Sequence, residues 1–222
     1  MNNKGIFIAV EGPIGVGKTT LANILNQHFG YTLLREIVEE NPFLSKFYTD
    51  IKEYALQTEA FFLFNRFKQL EDIDKNILSL SKGVVSDYHI IKNLIFAGIT
   101  LDKMQFHRYK QVYNIFVNDL PQPDIIIYLN SNTDVLMKRI AMRDRSFERQ
   151  MDRSYINGLS MEYKYYFNPL SIKHNFMGKE PIIIEIDNSN LDFLNKEEDR
   201  KFIINKVEEA ISTLGGKMTC SN

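Results

Sequence analysis

The chain has 222 residues, enough for one α/β domain and too few for two large ones. Its 27 basic and 28 acidic side chains leave a formal charge of -1, so no global positive field draws it to nucleic acid or to an anionic membrane. The single cysteine, Cys220, excludes an internal disulfide and a four-cysteine zinc site, and points to a reducing compartment, the cytoplasm.

In chain order, Gly5–Val10 is apolar and enters a Gly-rich turn, as a buried strand does. No signal-peptide h-region precedes it, and no apolar run nears the roughly 20 residues of a spanning helix. Thr19–Phe29 has helical spacing and Gly30 suits its C′ position. Tyr31–Arg35 reads as a short strand, and Pro42 suits the first position of a helix. Tyr54–Leu80 is a long helix without Gly or Pro, followed by a strand at Gly83–Ser86. Ile90–Ala97 and Asp102–Leu120 read as two helices broken at Gly98. Ile125–Leu129 is a strand and Asn132–Arg143 a helix; a helix over Ser154–Asn175 is interrupted near Asn168-Pro169. Pro181–Ile186 is the last strand and Glu197–Leu214 the last helix, leaving 215–222 as a mobile tail. Five apolar strands alternating with helices predict a parallel sheet covered on both faces, in one domain over residues 1–214.

The segment Gly12-Pro-Ile-Gly-Val-Gly-Lys-Thr19 fits the P-loop pattern G-x-x-x-x-G-K-[ST], between a strand and a helix as that pattern requires. Gly12, Gly15 and Gly17 let backbone N–H groups turn toward a phosphate, and the helix N-terminus adds positive potential. Lys18 supplies a cation for the β- and γ-phosphates, and the Thr19 hydroxyl a ligand for Mg²⁺. The motif specifies a nucleoside triphosphate, taken as ATP, and leaves the acceptor open.

Transfer to a hydroxyl needs a group that takes the proton and groups that hold the metal, both at carboxyl ends of strands. Glu36 follows the strand ending at Arg35, and Asp87 follows Ser86. The simpler fates are a solvated loop for Glu39 and Glu40 and a helix cap for Asp87. Arg139, Arg143, Arg145, Arg149 and Arg153 crowd the segment 139–153, an expected lid. Guanidinium groups clamp phosphoryl oxygens. Arg143 and Arg145 are the candidates for that work, with Arg149 and Arg153 structural or exposed.

Together these stretches resemble the deoxyribonucleoside kinase family: the P-loop with its Glu11-Gly-Pro-Ile-Gly lead, Glu36-Ile-Val-Glu-Glu-Asn-Pro-Phe43, Gln57-Thr-Glu59, Ser86-Asp-Tyr-His-Ile90 and Arg139-Ile-Ala-Met-Arg143-Asp-Arg145. The Asp-Tyr-His element is most similar to bacterial members acting on deoxyguanosine. The resemblance implies a P-loop kinase-type fold and ATP- and Mg²⁺-dependent phosphorylation of a purine deoxynucleoside at its 5′-hydroxyl, deoxyguanosine first. It implies Glu36 as proton acceptor and, with Thr19, as metal holder, partly through water. Asp87, Arg143 and Arg145 join it in catalysis, and Thr20 and Arg139 join the phosphate site. Gln57 is implied to pair with the base, Tyr48 and Glu148 to hold the 3′-hydroxyl, and Asn93 to join the acceptor site. Family dimers pack through helices matching 54–80 and 102–120, so a homodimer is expected.

One residue departs from the family. Tyr88 stands where most members carry an Arg, and a phenol cannot replace a permanent charge; Lys92 or a lid arginine could fill the gap. Among Phe61, Phe62, Phe64 and Phe67 one suits base stacking and the rest core or dimer packing. The four scattered histidines propose no zinc site. Three alternatives stand beside the leading function. A deoxyadenosine kinase differs only in the base. A thymidylate-type monophosphate kinase would need an acceptor-phosphate site, usually with an Asp-Arg pair that Tyr88 denies. A P-loop switch module would leave the lid arginines without a role.

Overall fold

Short strands rich in Ile, Val and Leu pair side by side in a computed structural model that describes residues 4–149, 151–175 and 180–219. They are β1 (Phe7–Glu11), β2 (Thr32–Leu34), β3 (Val84–Ser86), β4 (Ile125–Asn130) and β5 (Ile182–Asp187). All pair in parallel, in the order β2-β3-β1-β4-β5. Alternate side chains of each strand enter different cores, as the two-residue period dictates. Phe7, Ala9, Val84, Ile126 and Tyr128 pack on one side of the sheet. Ile8, Val10, Val85, Ile125 and Ile127 pack on the other. The expected α/β sandwich is therefore present, with a helical layer on each face.

Nine α-helices are described: α1 (Lys18–Phe29), α2 (Leu44–Phe47), α3 (Ile51–Asn76), α4 (Lys92–Thr100), α5 (Lys103–Val117), α6 (Thr133–Arg143), α7 (Arg153–Tyr166), α8 (Pro169–Asn175) and α9 (Glu197–Thr219). Capping explains several boundaries. Asp50 accepts from the Glu53 N–H and starts α3 three residues before the apolar pattern suggests. Asp102 and Gln105 form a capping box that starts α5. Gly30 ends α1 at φ +67°.

Three expectations need correction. Helix α3 ends at Asn76, and Leu78–Leu80 form a separate 3₁₀ turn. Helix α4 runs through Gly98 to Thr100, because one glycine costs a buried helix only about 1 kcal/mol and does not break it. For the same reason α9 passes Gly215 and Gly216 and reaches Thr219, so 215–219 is helix rather than tail. The rest of the expected tail, 220–222, lies outside the described residues, as does Gln150 within the expected lid. The break at Asn168-Pro169 is present between α7 and α8. Among the described residues no helix is long and apolar enough to cross a membrane.

The order of strands places the site. Connections leave β1 toward β2 on one side of the sheet, and β4 and β5 lie on the other, so the carboxyl end of β1 is a topological switch point. Glu11 ends β1, Ser86 ends β3, and Leu34 ends β2 two residues before Glu36.

Candidate active site

The loop after β1 is built around positive backbone φ angles. Gly12 has φ +148°, and a Cβ there would lie 2.2 Å from the Leu129 carbonyl oxygen on β4. Gly15 has φ +83°, and a Cβ would meet the Leu136 carbonyl and Ile140 side chain of α6 within 3 Å. Glycine is required at both positions so that the loop can turn while pressed against its neighbours. Gly17 caps α1, whose first turn carries Lys18, Thr19 and Thr20. The Lys18 ammonium donates to the carbonyls of Gly12 (2.7 Å) and Pro13 (3.0 Å). Desolvation, then repulsion from Lys92, draws its pKa down to about 7. Glu11, fully buried, braces the loop. Its carboxylate accepts from the N–H groups of Gly12 (3.1 Å) and His89 (2.5 Å) and from the Tyr163 hydroxyl (2.8 Å).

A cavity of about 1100 Å³ opens beside this loop. Pockets for a single small ligand span about 300–1,000 Å³, so this one exceeds that range, as a site shared by two substrates would. At the donor side it is lined by Gly15, Gly17, Lys18, Thr19, Thr20, Arg139 and Arg143. Gly12 is not among the lining residues; it serves the loop through its φ angle and its carbonyl. Arg139 is tied to backbone rather than swinging free. Its guanidinium donates to the carbonyls of Asn188 and Leu191, both 3.2 Å, and so seals the loop after β5 against the P-loop.

Across the cavity from Lys18 stands Glu36, 9% exposed at its side chain, between Arg66 of α3 and Lys92 of α4. Arg66 donates to Oε1 through both Nε and Nη2, and Lys92 Nζ lies 2.6 Å from Oε2. Burial alone would raise the Glu36 pKa, but Lys92 and Arg66 outweigh it and hold the carboxyl at about 2. Asp87 links this group to the P-loop. Its Oδ2 accepts from the Thr19 hydroxyl (2.6 Å) and its Oδ1 from the Glu36 N–H (2.8 Å). Thr19 and Asp87 thus bring a hydroxyl and a carboxylate into contact, with the backbone of Glu36 beside them and its carboxylate lining the same cavity. That is the hard-oxygen donor set that suits Mg²⁺ shared with phosphates, and it needs no all-protein cage. Among the described residues no cluster of three or more His, Cys, Asp or Glu forms a metal cage of its own.

Tyr88 is fully buried, lines no part of the cavity, and its hydroxyl donates to Gln69 of α3 (2.8 Å). The positive charge beside Glu36 comes instead from Arg66 and Lys92. Tyr88→Phe is therefore expected to leave kcat within about twofold and cost about 1 kcal/mol of stability, the worth of one hydrogen bond. Steady-state rates and a thermal melt check this together.

The acceptor end is lined by Phe47, Tyr48, Thr58, Glu59, Phe62 and Phe96. Tyr48 and Glu148 are brought together as expected: Tyr48 stacks on Phe147 at 6.2 Å and 8°, and burial followed by the Glu148 charge raises the phenol's pKa. Glu148 is gripped by Arg143, whose Nε and Nη2 lie 3.0 and 2.6 Å from one carboxylate oxygen. Arg145 stands 3.9 Å away. Arg143 and Arg145 therefore approach Glu148 and also line the cavity. Arg149 pairs with Asp144 and Arg153 with Asp134, all exposed, as expected of surface charges. Glu39 and Glu40 are exposed at the rim. Of the four phenylalanines, Phe62 lines the cavity, while Phe64 and Phe67 pack on Phe116 at 5.3 and 4.8 Å.

Two expected substrate residues are misplaced. Gln57 is exposed and lines no part of the cavity. The inward stripe of α3 is Ala55, Thr58, Glu59, Phe62, Leu63 and Arg66, and at 100° per residue Gln57 lies about 200° from Glu59. Asn93 is also absent from the lining. It is fully buried one residue past Lys92 and donates to the Tyr109 hydroxyl (2.7 Å) behind the cavity. Lys92, named as one cation that could stand in for the family Arg, does lie beside Glu36, whereas Arg66, Glu59 and Glu11 are site residues that no sequence reading singled out. The only available signal was Arg66 and Glu59 falling on one apolar stripe at a seven-residue spacing.

The comparisons agree with this geometry. A family model described as deoxynucleoside kinase matches residues 8–212. The chain is 42% identical to a deoxyguanosine kinase of Bacillus subtilis over 94% of its own length and 99% of that protein. It is 28% identical to a deoxyadenosine/deoxycytidine kinase of the same organism, over 94% of each chain. The solved structure of a deoxyadenosine kinase from M. mycoides with bound dATP superposes with a TM-score of 0.77 at 25% identity, covering 91% of this chain and 99% of that one. With a five-stranded parallel sheet, a P-loop and a buried carboxylate two residues past β2, the chain belongs to the deoxynucleoside kinase family.

Proposed function

We propose that this deoxynucleoside kinase transfers the γ-phosphoryl group of ATP to the 5′-hydroxyl of a purine deoxynucleoside, with deoxyguanosine as preferred substrate. One observation carries the reading: a buried carboxylate, Glu36, held ionised by Arg66 and Lys92 across a two-substrate cavity from Lys18. The similarity to the Bacillus subtilis deoxyguanosine kinase supports the choice of base.

The 5′-hydroxyl donates its hydrogen bond to Glu36, which orients an oxygen lone pair toward the γ-phosphorus. The new O5′–P bond forms as the bond from that phosphorus to the β-phosphate oxygen breaks, and the hydroxyl proton passes to Glu36. A carboxyl with a pKa of about 2 is a weak base, so the proton moves late, once bonding to phosphorus has made the hydroxyl acidic. Lys18, the amides of the P-loop and the Arg143–Arg145 lid hold the charge on the phosphates. Thr19, Glu36 and Asp87 would hold Mg²⁺, which neutralises phosphate charge when bound. Tyr48 and Glu148 take the 3′-hydroxyl. The proposal includes a cytoplasmic enzyme and a homodimer through α3 and α5, on which Phe64, Val112 and Ile115 are exposed.

The test offers purified enzyme, ATP and Mg²⁺ the four deoxynucleosides and guanosine in competition. Deoxyguanosine should be consumed first. Preferential phosphorylation of a pyrimidine deoxynucleoside would overturn the purine assignment.

A further inference from the structure

Lys92 opens helix α4, is buried, and lines the cavity. Its place is unfavourable for a cation on two counts. The N-terminal end of a helix carries positive potential, which opposes an ammonium there. Lys18 lines the same cavity, and the two ammonium groups repel each other. Nor does Glu36 need a second cation to balance its single charge. Arg66 already meets Oε1 through Nε and Nη2, so with Lys92 on Oε2 the group carries a net positive charge.

The cations of the cavity are held in different ways. Arg66 makes both of its bonds with one planar fork and packs on the rings of Phe62 and Tyr88, at 4.8 and 5.8 Å. Arg139 is tied to the carbonyls of Asn188 and Leu191, and Arg143 to Glu148. Lys92 ends in an ammonium with three N–H donors on a flexible stem. Among the described residues one acceptor takes a hydrogen bond from it, Glu36 Oε2 at 2.6 Å, and the Phe96 ring lies 5.3 Å away. Two like charges facing one cavity, one of them with donors to spare, suit an anion that enters between them.

Resting on the deoxynucleoside kinase reading above, we propose that Lys92 is a catalytic residue of the transfer: its ammonium, held on Glu36 at rest, donates to an oxygen of the γ-phosphoryl group as that group passes to the 5′-oxygen. Lys18 serves the side of the phosphoryl group that faces the β-phosphate, and Lys92 the side that faces the acceptor. The O5′–P bond forms, and the bond from the same phosphorus to the β-phosphate oxygen breaks with its electron pair leaving on ADP. The hydroxyl proton goes to Glu36. Lys92 gives up no proton; only its hydrogen bond moves. Protonation of Glu36 removes the charge that held the ammonium, and the oxygens of the arriving phosphoryl group take its place. Arg66 stays behind on Glu36, because its fork and its ring contacts fix it there.

The experiment measures single-turnover rates with saturating ATP, Mg²⁺ and deoxyguanosine for the wild type, Glu36→Gln, Lys92→Met and the double variant. Lys92→Met is expected to slow the transfer by about 10²–10³, the range for one preorganised donor removed from a transition state. A loss carried by KM for deoxyguanosine instead of by the transfer rate overturns the proposal. A lysine that only kept Glu36 in place would have no effect left once Glu36 is an amide. Lys92→Met should instead slow the Glu36→Gln enzyme by about a further tenfold or more, and a smaller loss, or none, overturns the proposal. If these variants do not fold, a crystal structure of the wild type with deoxyguanosine, Mg²⁺, ADP and aluminium fluoride decides. Lys92 Nζ within about 3.5 Å of a fluoride is the expected result, and any longer separation overturns the proposal. A wild-type enzyme that phosphorylates no deoxynucleoside refutes the underlying reading instead.

Discussion

Glu36→Gln is expected to lower kcat by about a hundredfold or more while leaving ATP affinity within a few fold. The amide keeps the shape of the side chain but can neither take the hydroxyl proton nor answer the charges of Arg66 and Lys92, both of which are nearly fully buried. Two uncompensated cations in that pocket also cost stability, on the order of 3–5 kcal/mol for a broken buried pair. Loss of turnover could then be confused with loss of fold, so the kinetic result needs ATP titration of the same preparation. ATP binding survives because the P-loop is braced by Glu11 and by the helix α1 it caps, neither of which touches Glu36. Near-normal turnover would remove Glu36 from the role of proton acceptor.

Lys18→Met should lower kcat/KM for ATP by about 10²–10³, the range for removing one preorganised charge or donor from a transition state. A second consequence comes from the site's own field. With Lys92 and Arg143 as like-charged neighbours and desolvation opposing the ammonium, Lys18 titrates near 7. A triphosphate restores its full charge. ATP binding at pH 7.5 should therefore draw a proton from solvent, seen as a dependence of the calorimetric heat on the ionisation enthalpy of the buffer. The Met variant should lose most of that uptake. Equal proton uptake by wild type and variant would mean that another group titrates on binding.

How much of this was legible beforehand depended on the range of the interactions involved. The P-loop could be read because strand, glycines, Lys18 and the start of α1 are consecutive. Glu36 and Asp87 could be located because strand ends in a parallel sheet converge on one edge. The strand order could not, since alternation of strands and helices fits several orders equally well. Arg66 is 30 positions from Glu36, and nothing local distinguishes it from a surface cation; Lys92, 56 positions away, could be named only as one of several cations able to fill the place of the family Arg. Gln57 shows how a resemblance fails at the level of a single helical turn. The matching segment is present, but the phase of α3 turns Glu59 inward and Gln57 out. Gly98 and Gly215 suggest breaks on propensity alone, yet α4 and α9 run through them; at Gly98 the buried Ile95, Ala97 and Thr100 hold the helix in place.

The transfer of phosphate to a hydroxyl, rather than to a phosphate, is the claim on which the rest depends. It is tested most directly by offering the enzyme ATP and Mg²⁺ with deoxyguanosine, and separately with deoxyguanosine and thymidine monophosphates, and identifying the products by phosphorus NMR. The Glu36–Arg66–Lys92 group facing Lys18 predicts a single 5′-monophosphate from deoxyguanosine and no diphosphate from either monophosphate. Diphosphate formation from a monophosphate, with deoxyguanosine untouched, would contradict it.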